Sequence, residues 1–450
     1  MNRSLKTRIL SALAATLLLS AATYVPSFAA TGLTGVERDE LQMSYALVTA
    51  EFYKKVEPQT LLDGARLQMI AFLEKNGVKT PNVPALKAVD DPSANARNLE
   101  REVSGVVALY GAKLGTRDIT YEAIGGMLSS CKDKYTMFLT PKEFAELNEG
   151  LDGGNFSGVG LSIGVDDKTK FLVVNEVIDG GPADKDGVQA ADVITSIDGK
   201  ATKGLTTEED SKLLRGNEGT VVHIVILRNG TELAPLAITR AVIHQPSVYS
   251  RMLDGNIGYA RLTVFGSTTA QELTAALDKL EAQHAKAYIL DLRDNGGGYL
   301  NAAIEVSSKF IASGPIVSVE ARGGSNTQYD AEDTAIPPRP LAVLVNGYTA
   351  SASEITSGAL QDDGVGELIG EKTYGKGVVQ SIHPLPDGSA VKITSARYLT
   401  PRGRDINQIG ITPDIVTPEP KTARLGDPAN DPQLQAALMY LAGRIAKLGT

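Results

Sequence analysis

A serine and a lysine, each in a distinctive setting, stand 25 residues apart in the last third of this chain. Ser351 lies in YTASASEITSGALQD at the start of an expected helix, and Lys376 lies in GEKTYGKGVVQ between two glycines. A serine hydroxyl becomes an effective nucleophile only when a base removes its proton. Lysine can be that base if burial lowers the pKa of its ammonium group toward neutrality. The pair predicts covalent serine chemistry.

Other interpretations of the same residues stay open. Ser351 and Glu354 match the S-x-x-E capping box, in which the serine only satisfies the first helix amides. Lys376 is equally compatible with an ordinary charged turn. Histidine is the commoner base, and of the four histidines only His383 is close to these segments in sequence. Gln380 follows the lysine by four residues, which is ~13 Å along a regular strand, so a contact between them requires a bend.

Acyl transfer also needs backbone amides that stabilise a developing oxyanion. Ala352 follows the serine at the helix start, where amides lack intrahelical acceptors and the helix dipole favours an anion. The segment LDLRDNGGGYL ends an apolar strand with three glycines, Gly296 to Gly298, before another helix. Such a turn can present amides with no side chain in the way, although a plain flexible turn has the same composition.

Composition restricts the class of protein. The chain has 450 residues, 42% hydrophobic and 22% charged, which is ordinary for a soluble globular protein of two to four domains. A net charge of −9 and the lack of a basic stripe argue against nucleic-acid binding. Cys131 is a single cysteine, so neither an internal disulfide nor a dedicated zinc site is expected.

The first 29 residues have the pattern of an export signal. Basic residues precede an apolar run from Ile9 to Ser20, and Ser27 and Ala29 are small residues suited to a cleavage site after Ala29. The alternative is an uncleaved membrane anchor, but the run is shorter than the ~20 apolar residues that a span prefers. We expect an exported mature protein without an integral membrane span, soluble or peripheral, in a periplasm, a lumen or the medium.

The periodicity of apolar residues divides the rest of the chain into four regions. Residues 30–150 have mostly helical patterns, and 155–240 have short alternating strands with two short helices. Residues 241–420 alternate strands and helices, which predicts a layered, mostly parallel α/β core. Residues 421–450 form a tail whose helix has Asp431 as its cap and Pro432 at the first position.

Taken in order, these segments resemble the carboxyl-terminal processing proteases, tail-specific serine peptidases that contain a PDZ domain. The segments around Ser351 and Lys376, LDLRDNGGG, TPRGRDINQIGITPDI and DPQLQAAL all match motifs of that family. The resemblance implies that Ser351 is the nucleophile, Lys376 the general base and Gln380 its partner. It implies that Ala352 and Gly297 supply the oxyanion-hole amides, and that the core is related to the crotonase and Clp protease fold.

The β-rich block resembles a PDZ domain, with FSGVGLSI as its carboxylate-binding loop. Amides of Val159, Gly160 and Leu161 would then capture a substrate's terminal carboxylate, and the peptide would add as a strand beside LSIGV. One departure from the family is Lys134, which stands where a proline is usual.

The resulting expectation is an exported endopeptidase that cleaves proteins or peptides with free C-termini and needs no metal or organic cofactor. A catalytically idle PDZ adaptor that binds C-terminal tails is the alternative, and a crotonase-type acyl-transfer enzyme or lyase is a weaker third. The sequence leaves assembly into a homo-oligomer open.

Overall fold

The computed structural model describes residues 32–151, 156–166, 169–178, 180–243, 246–418 and 425–448. The expected signal segment, residues 1–29, lies outside these ranges. Within them, no helix combines the length and apolar character needed to cross a bilayer.

The first region is helical, as its periodicity predicts. Its buried apolar side chains form one cluster, which also takes in Val391 and Ile393 from the far end of the chain. A short strand of this region, Met137–Leu139, pairs with that same distant segment. The helical region is therefore joined to the core by shared packing and a shared sheet. Its elements are α1 (Gly35–Glu51), α2 (Pro58–Lys75), α3 (Pro92–Leu114), α4 (Thr116–Ser129), β1 (Met137–Leu139) and α5 (Pro141–Leu151).

The second region is a β-rich module. Val222, Ile224 and Ile226 alternate along one strand and are fully buried, which explains the period of two in the sequence. Its elements are β2 (Phe156–Gly158), β3 (Leu161–Val165), β4 (Leu172–Val177), α6 (Pro182–Lys185), β5 (Val193–Ile197), β6 (Lys200–Ala201), α7 (Thr207–Leu214), β7 (Val221–Arg228), β8 (Thr231–Glu232), β9 (Leu236–Thr239) and β10 (Ala241–Ile243). Strand β3 forms one edge of the main sheet, whose order is β3-β4-β5-β7-β8.

The third region is the predicted α/β core. Its main sheet has the order β11-β12-β13-β16-β17-β20, in which only the β11–β12 pair is antiparallel. The elements are β11 (Val248–Leu253), β12 (Ile257–Leu262), α8 (Thr269–Ala282), β13 (Ala287–Asp291), α9 (Leu300–Ser308), β14 (Pro315–Ala321), β15 (Asn326–Asp330), β16 (Leu341–Val345), α10 (Ala352–Asp363), β17 (Gly366–Gly370), β18 (Val378–Pro384), β19 (Ala390–Leu399), β20 (Ile415–Val416) and α11 (Pro432–Leu448).

Both faces of this sheet are covered. In β16, Leu341 and Val343 pack into the cluster that contains residues of α8, α9 and α10, whereas Ala342 and Leu344 pack with α11 on the other face. A strand that is buried on both faces has a continuous apolar sequence, which is why LAVLV shows no alternation of apolar and polar residues. The predicted multidomain α/β architecture, with its helical region, β-module and mostly parallel core, is confirmed.

The sheet also brings two predicted turns together. Strands β13 and β16 are neighbours and parallel, so their carboxyl ends meet at the same edge. Strand β13 leads into the three glycines and β16 leads into Ser351. Ligand sites of open α/β sheets form at this edge. A second sheet, made of β1, β19, β14 and β15 with β18 paired to β19, brings the lysine segment to the same place.

Candidate active site

Ser351 occupies a strained turn between β16 and α10. Its φ of 57° and ψ of −118° lie in a region that residues other than glycine rarely adopt. The surroundings hold this conformation: Ala350 N–H donates to the carbonyl of Asn295 at 3.0 Å, and Tyr398 Oη donates to the carbonyl of Ser351 at 3.1 Å. Strain of this kind concentrates at functional sites.

Glu354 connects the serine turn to the lysine turn. Its fully buried carboxylate accepts the backbone N–H groups of Ser351 and Lys376 at one oxygen, Oε2, at 2.9 and 2.8 Å. The other oxygen, Oε1, accepts from Gly375 N–H at 2.7 Å and Thr373 Oγ1 at 2.6 Å. The capping-box interpretation was therefore incomplete, because this glutamate fixes both turns at once. Two amides bonded to one oxygen must lie close together, so the backbones of Ser351 and Lys376 are adjacent.

The glycines around Lys376 permit close packing of its turn. A Cβ on Gly375 would lie 2.8 Å from Gly410 N, and one on Gly377 would lie 2.7 Å from Asn407 N, both too short for any side chain. Gly375 also has a φ of 87°. The predicted reason for the two glycines, close approach of the backbone, is thus present in the fold.

The amino group of Lys376 has a pKa well below that of an ordinary lysine. Burial lowers the pKa of Lys376 to about 8; the positive charge of Lys392 adds to this shift, whereas Glu354 opposes it. The Nζ atom lies 4.9 Å from the centre of the Tyr135 ring. A lysine with this pKa is partly neutral in mildly alkaline solution, as a general base must be.

The glycine turn packs directly against the serine turn. Gly297 has a φ of 101°, and a Cβ there would lie 2.8 Å from both Ala352 N and Ser351 Cβ. Ala352 opens α10, where the first amides lack intrahelical acceptors. The Gly297 N–H, however, donates to Asn295 Oδ1 at 2.9 Å. Of the two amides expected in an oxyanion hole, the one at Gly297 thus has a side-chain acceptor in this structure.

One cavity of about 290 Å³ brings these groups together. Ser351, Ala352, Lys376, Gln380 and Gly297 all line it. Further wall residues are Leu147 and Leu151 of α5, Tyr299, Leu300, Ile355, Val379, Lys392 and Tyr398. The site therefore combines a hydroxyl, two amino groups and a glycine turn with apolar surface that can hold a peptide.

Gln380, the expected partner of Lys376, and His383, the alternative base for Ser351, lie in different surroundings. Strand β18 has a register irregularity between Val379 and Gln380. Gln380 Nε2 donates to the carbonyl of Val378 at 3.1 Å. His383 lies 2.7 Å from Glu51 Oε2 of α1, an ion pair if the imidazole is protonated, and it does not line this cavity.

A second cavity, of about 660 Å³, lies in the β-module. Val159, Gly160 and Leu161, the expected carboxylate-binding residues, line it together with Ser211 and Leu214 of α7. Gly160 has a φ of 79°. The groove between β3 and α7 therefore has the position and size for an extended peptide.

Three residues that lie at or beside the candidate catalytic cavity around Ser351 and Lys376 were not identified as functional from the sequence. Glu354 was visible only as a capping residue. Lys392 lies in β19 between two buried apolar residues, a position that carries no signal of its own. Asn295 was part of the glycine-turn segment, but its role as acceptor for Gly297 and Ala350 depends on the fold.

Comparison with known proteins gives a consistent assignment. The sequence profile of peptidase family S41 matches residues 256–417, and that of the PDZ domain matches residues 173–228. A carboxyl-terminal-processing protease of Picosynechococcus sp. is 40% identical over 333 residues, which cover 73% of this chain and 80% of the relative.

A second curated relative supports the same assignment. The carboxy-terminal processing protease CtpA of Bacillus subtilis is 40% identical over 322 residues, covering 71% of this chain and 67% of the relative. A solved structure described as the photosystem II D1 C-terminal processing protease is 32% identical with a TM-score of 0.47, covering 86% of this chain and 94% of that one. The chain therefore belongs to peptidase family S41, among the carboxyl-terminal-processing proteases with a PDZ domain, and is a serine-type peptidase that acts on proteins.

Proposed function

We propose that this protein is an exported endopeptidase that holds the C-terminal tail of its substrate in the PDZ groove and cleaves upstream with Ser351 and Lys376. The observation that carries the proposal is the shared oxygen of Glu354, which fixes the backbones of Ser351 and Lys376 side by side at one cavity.

The reaction follows from the groups at the cavity. The neutral amine of Lys376 takes the hydroxyl proton of Ser351, whose oxygen attacks the peptide carbonyl. The Ala352 N–H stabilises the oxyanion, and the Gly297 N–H joins it by exchanging Asn295 Oδ1 for the substrate oxygen. The lysine ammonium then protonates the leaving amine. Lys376 then removes a proton from water, whose oxygen attacks the ester carbonyl, and the lysine ammonium returns the proton to the Ser351 oxygen as the ester bond breaks and the acid product leaves.

Gln380 is proposed as the partner of Lys376 in this cycle. It lines the same cavity and lies at the register irregularity of β18. A side-chain amide carries no charge, so it can accept a hydrogen bond from the lysine without raising the lysine pKa as strongly as a carboxylate would. To do so, Gln380 must point its side-chain oxygen toward the lysine amine while its Nε2 keeps the hydrogen bond to the carbonyl of Val378.

The PDZ groove supplies the tail specificity. Val159, Gly160 and Leu161 border it, and strand β3 lies at an open edge of its sheet. A peptide can therefore extend the sheet beside β3 with its terminal carboxylate at the loop before that strand. A free C-terminus should be required, and the scissile bond should lie upstream of it.

Cleavage of an unfolded protein substrate tests the catalytic part. Wild type should cut it, Ser351→Ala should not, and Lys376→Ala should lose about 10²- to 10⁴-fold in rate. If Lys376→Ala cuts normally, the dyad is wrong and His383 becomes the candidate base. If wild type binds tails but cuts nothing under any activating condition, the protein is instead a PDZ adaptor.

Two paired measurements test the remaining parts. An amidated C-terminus should raise KM while leaving the cleavage site unchanged, and equal KM values for the free and amidated peptides would refute tail capture. Export predicts that the secreted form, isolated from its native host and sequenced from its N-terminus, begins at Ala30. A chain retained inside the cell with residues 1–29 intact would contradict it.

A further inference from the structure

A short segment of the helical region forms part of the wall around Lys376. Residues 133–135 lie between α4 and β1. Lys134 Nζ donates to Tyr374 Oη at 2.9 Å, which ties this segment to the lysine turn. Lys376 Nζ lies 4.9 Å from the centre of the Tyr135 ring, and Lys134 Nζ lies 4.8 Å from the same centre. The segment thus contacts the base through an aromatic ring.

The carboxylates near Lys376 are already engaged by other donors. Both oxygens of Glu354 accept from backbone amides or the Thr373 hydroxyl. Asp133 Oδ2 accepts from the hydroxyls of Thr136 and Thr394. The charged and titratable groups that face Lys376 are Lys392 and Tyr398 on β19, Glu354 on α10, Tyr374 on its own turn, and Asp133, Lys134 and Tyr135.

An aromatic ring suits a base that must gain and lose a proton. A carboxylate paired with Lys376 would hold it protonated at neutral pH. The face of a ring attracts an ammonium group more weakly and carries no net charge. It can therefore steady the ammonium that forms after proton transfer and still leave the neutral amine accessible.

We propose that Tyr135 is a positioning residue for proton transfer: the face of its ring holds the Lys376 amino group at the cavity and stabilises the protonated form. This inference rests on the proposed role of Lys376 as general base. Lys134 has the opposite effect, because its positive charge beside the same ring disfavours a second ammonium there.

The pKa of Lys376 can be measured without any proteolysis. Brief acetylation with acetic anhydride at a series of pH values, followed by mass spectrometry of the Lys376 peptide, reports the fraction of neutral amine. In the wild type, half-maximal labelling should fall near pH 8. Because this readout needs no substrate, it separates failure of this inference from failure of the proposed function.

Ring substitutions at position 135 provide the test. Tyr135→Phe should keep the lysine pKa, and Tyr135→Leu should lower it by about half a unit to one unit. Replacement by phenylalanines of increasing fluorination keeps the shape and weakens the ring face, so the pKa should fall stepwise. This series remains informative if Tyr135→Leu fails to fold. Lys134→Met should raise the lysine pKa.

A matched control exists elsewhere in the chain. Tyr53 also has a lysine amino group over its ring, with Lys54 Nζ at 4.9 Å, and it does not line the catalytic cavity. Tyr53→Leu should leave the labelling of Lys376 unchanged. If the fluorinated series leaves the pKa of Lys376 constant, or if Tyr135→Phe shifts it as much as Tyr135→Leu, the ring face does not stabilise the ammonium and the proposal is overturned.

Discussion

Ser351 and Lys376 donate their backbone N–H groups to the same carboxylate oxygen, Oε2 of Glu354. The turns that contain Ser351 and Lys376 come from separate segments, so this oxygen sets their relative position. The glutamate also lies within α10, the helix that Ser351 precedes as its N-cap. Changes in Glu354 should therefore affect catalysis although its side chain is fully buried.

Glu354→Gln is the first test. Oε2 of Glu354 accepts two N–H groups, and Oε1 accepts an N–H group and a hydroxyl. Glutamine would place an amide nitrogen at one of these two positions, and because that nitrogen donates and does not accept, the present hydrogen bonds cannot all form. We expect cleavage to slow by roughly 100-fold, as small misplacements of catalytic groups do, while circular dichroism stays native. Glu367→Gln, on β17 outside the catalytic cavity, is the control. Full activity in Glu354→Gln would show that the shared oxygen is dispensable.

The pH profile of cleavage gives a second prediction. Because the pKa of Lys376 is lowered to about 8, kcat/KM should rise through a limb near that pH as the amine becomes neutral. Lys392→Met removes a nearby positive charge and should move the limb to higher pH. A limb that stays in place would mean that Lys392 does not act on the base.

Burial of Lys376 should also cost stability. The pKa of Lys376 is lower in the folded state than in the unfolded state, so unfolding takes up a proton between about pH 8 and the ordinary lysine value. The cost is fully present below pH 8 and disappears as the pH rises through that window. Lys376→Met should raise the free energy of unfolding at pH 7 by up to about 3 kcal/mol, measured by urea denaturation. A destabilised variant would contradict the assigned burial.

Glu40 of α1 and Asp387 of the β18–β19 turn form a carboxyl pair. This pair predicts that stability changes with pH in the opposite direction to the change expected from Lys376. Burial, followed by the negative charge of Asp387, raises the pKa of Glu40 to about 8. The folded state therefore binds the extra proton, and stability should fall as the pH rises from about 4.5 to 8. Glu40→Gln should flatten this part of the profile, and the exposed Glu74→Gln should not. Parallel profiles for all three proteins would refute the assignment.

A buried ion-pair network anchors the tail helix. Arg293 is fully buried and donates to Asp291 and to Asp431, the residue that precedes α11, at 2.6–2.9 Å. Arg293→Met would leave two buried carboxylates unpaired and should cost about 3–5 kcal/mol in urea denaturation. Arg397→Met, which breaks a partly exposed pair with Glu320, should cost no more than about 1 kcal/mol. Equal costs would show that the buried network adds nothing.

Local patterns in the sequence predicted much of the fold. Apolar runs indicated the parallel strands, alternation indicated the PDZ strands, and Asp431 caps α11 as expected, with its Oδ1 accepting from Leu434 N–H at 3.0 Å. The order of β13 and β16 then places the glycine turn beside Ser351. Each of these features depends on neighbours in sequence or on simple sheet topology.

The remaining features depend on contacts between distant segments. Tyr135 and Lys392 approach Lys376 only because β1 and β18 both pair with β19. The hydrogen bond from Gly297 to Asn295 depends on the exact conformation of a glycine turn. No periodicity records such contacts, so the segments that meet at the cavity were predictable from the sequence and the electrostatic surroundings of Lys376 were not.

The central claim is that Lys376 activates Ser351, and trapping of the acyl-enzyme tests it most directly. Wild type and Lys376→Met are mixed with an activated ester at pH 8, quenched in acid and analysed by mass spectrometry of the Ser351 peptide. We expect rapid acylation of Ser351 in the wild type and a rate lower by about 10²-fold or more in Lys376→Met. Equal rates of acylation at Ser351 in the two proteins would contradict the account.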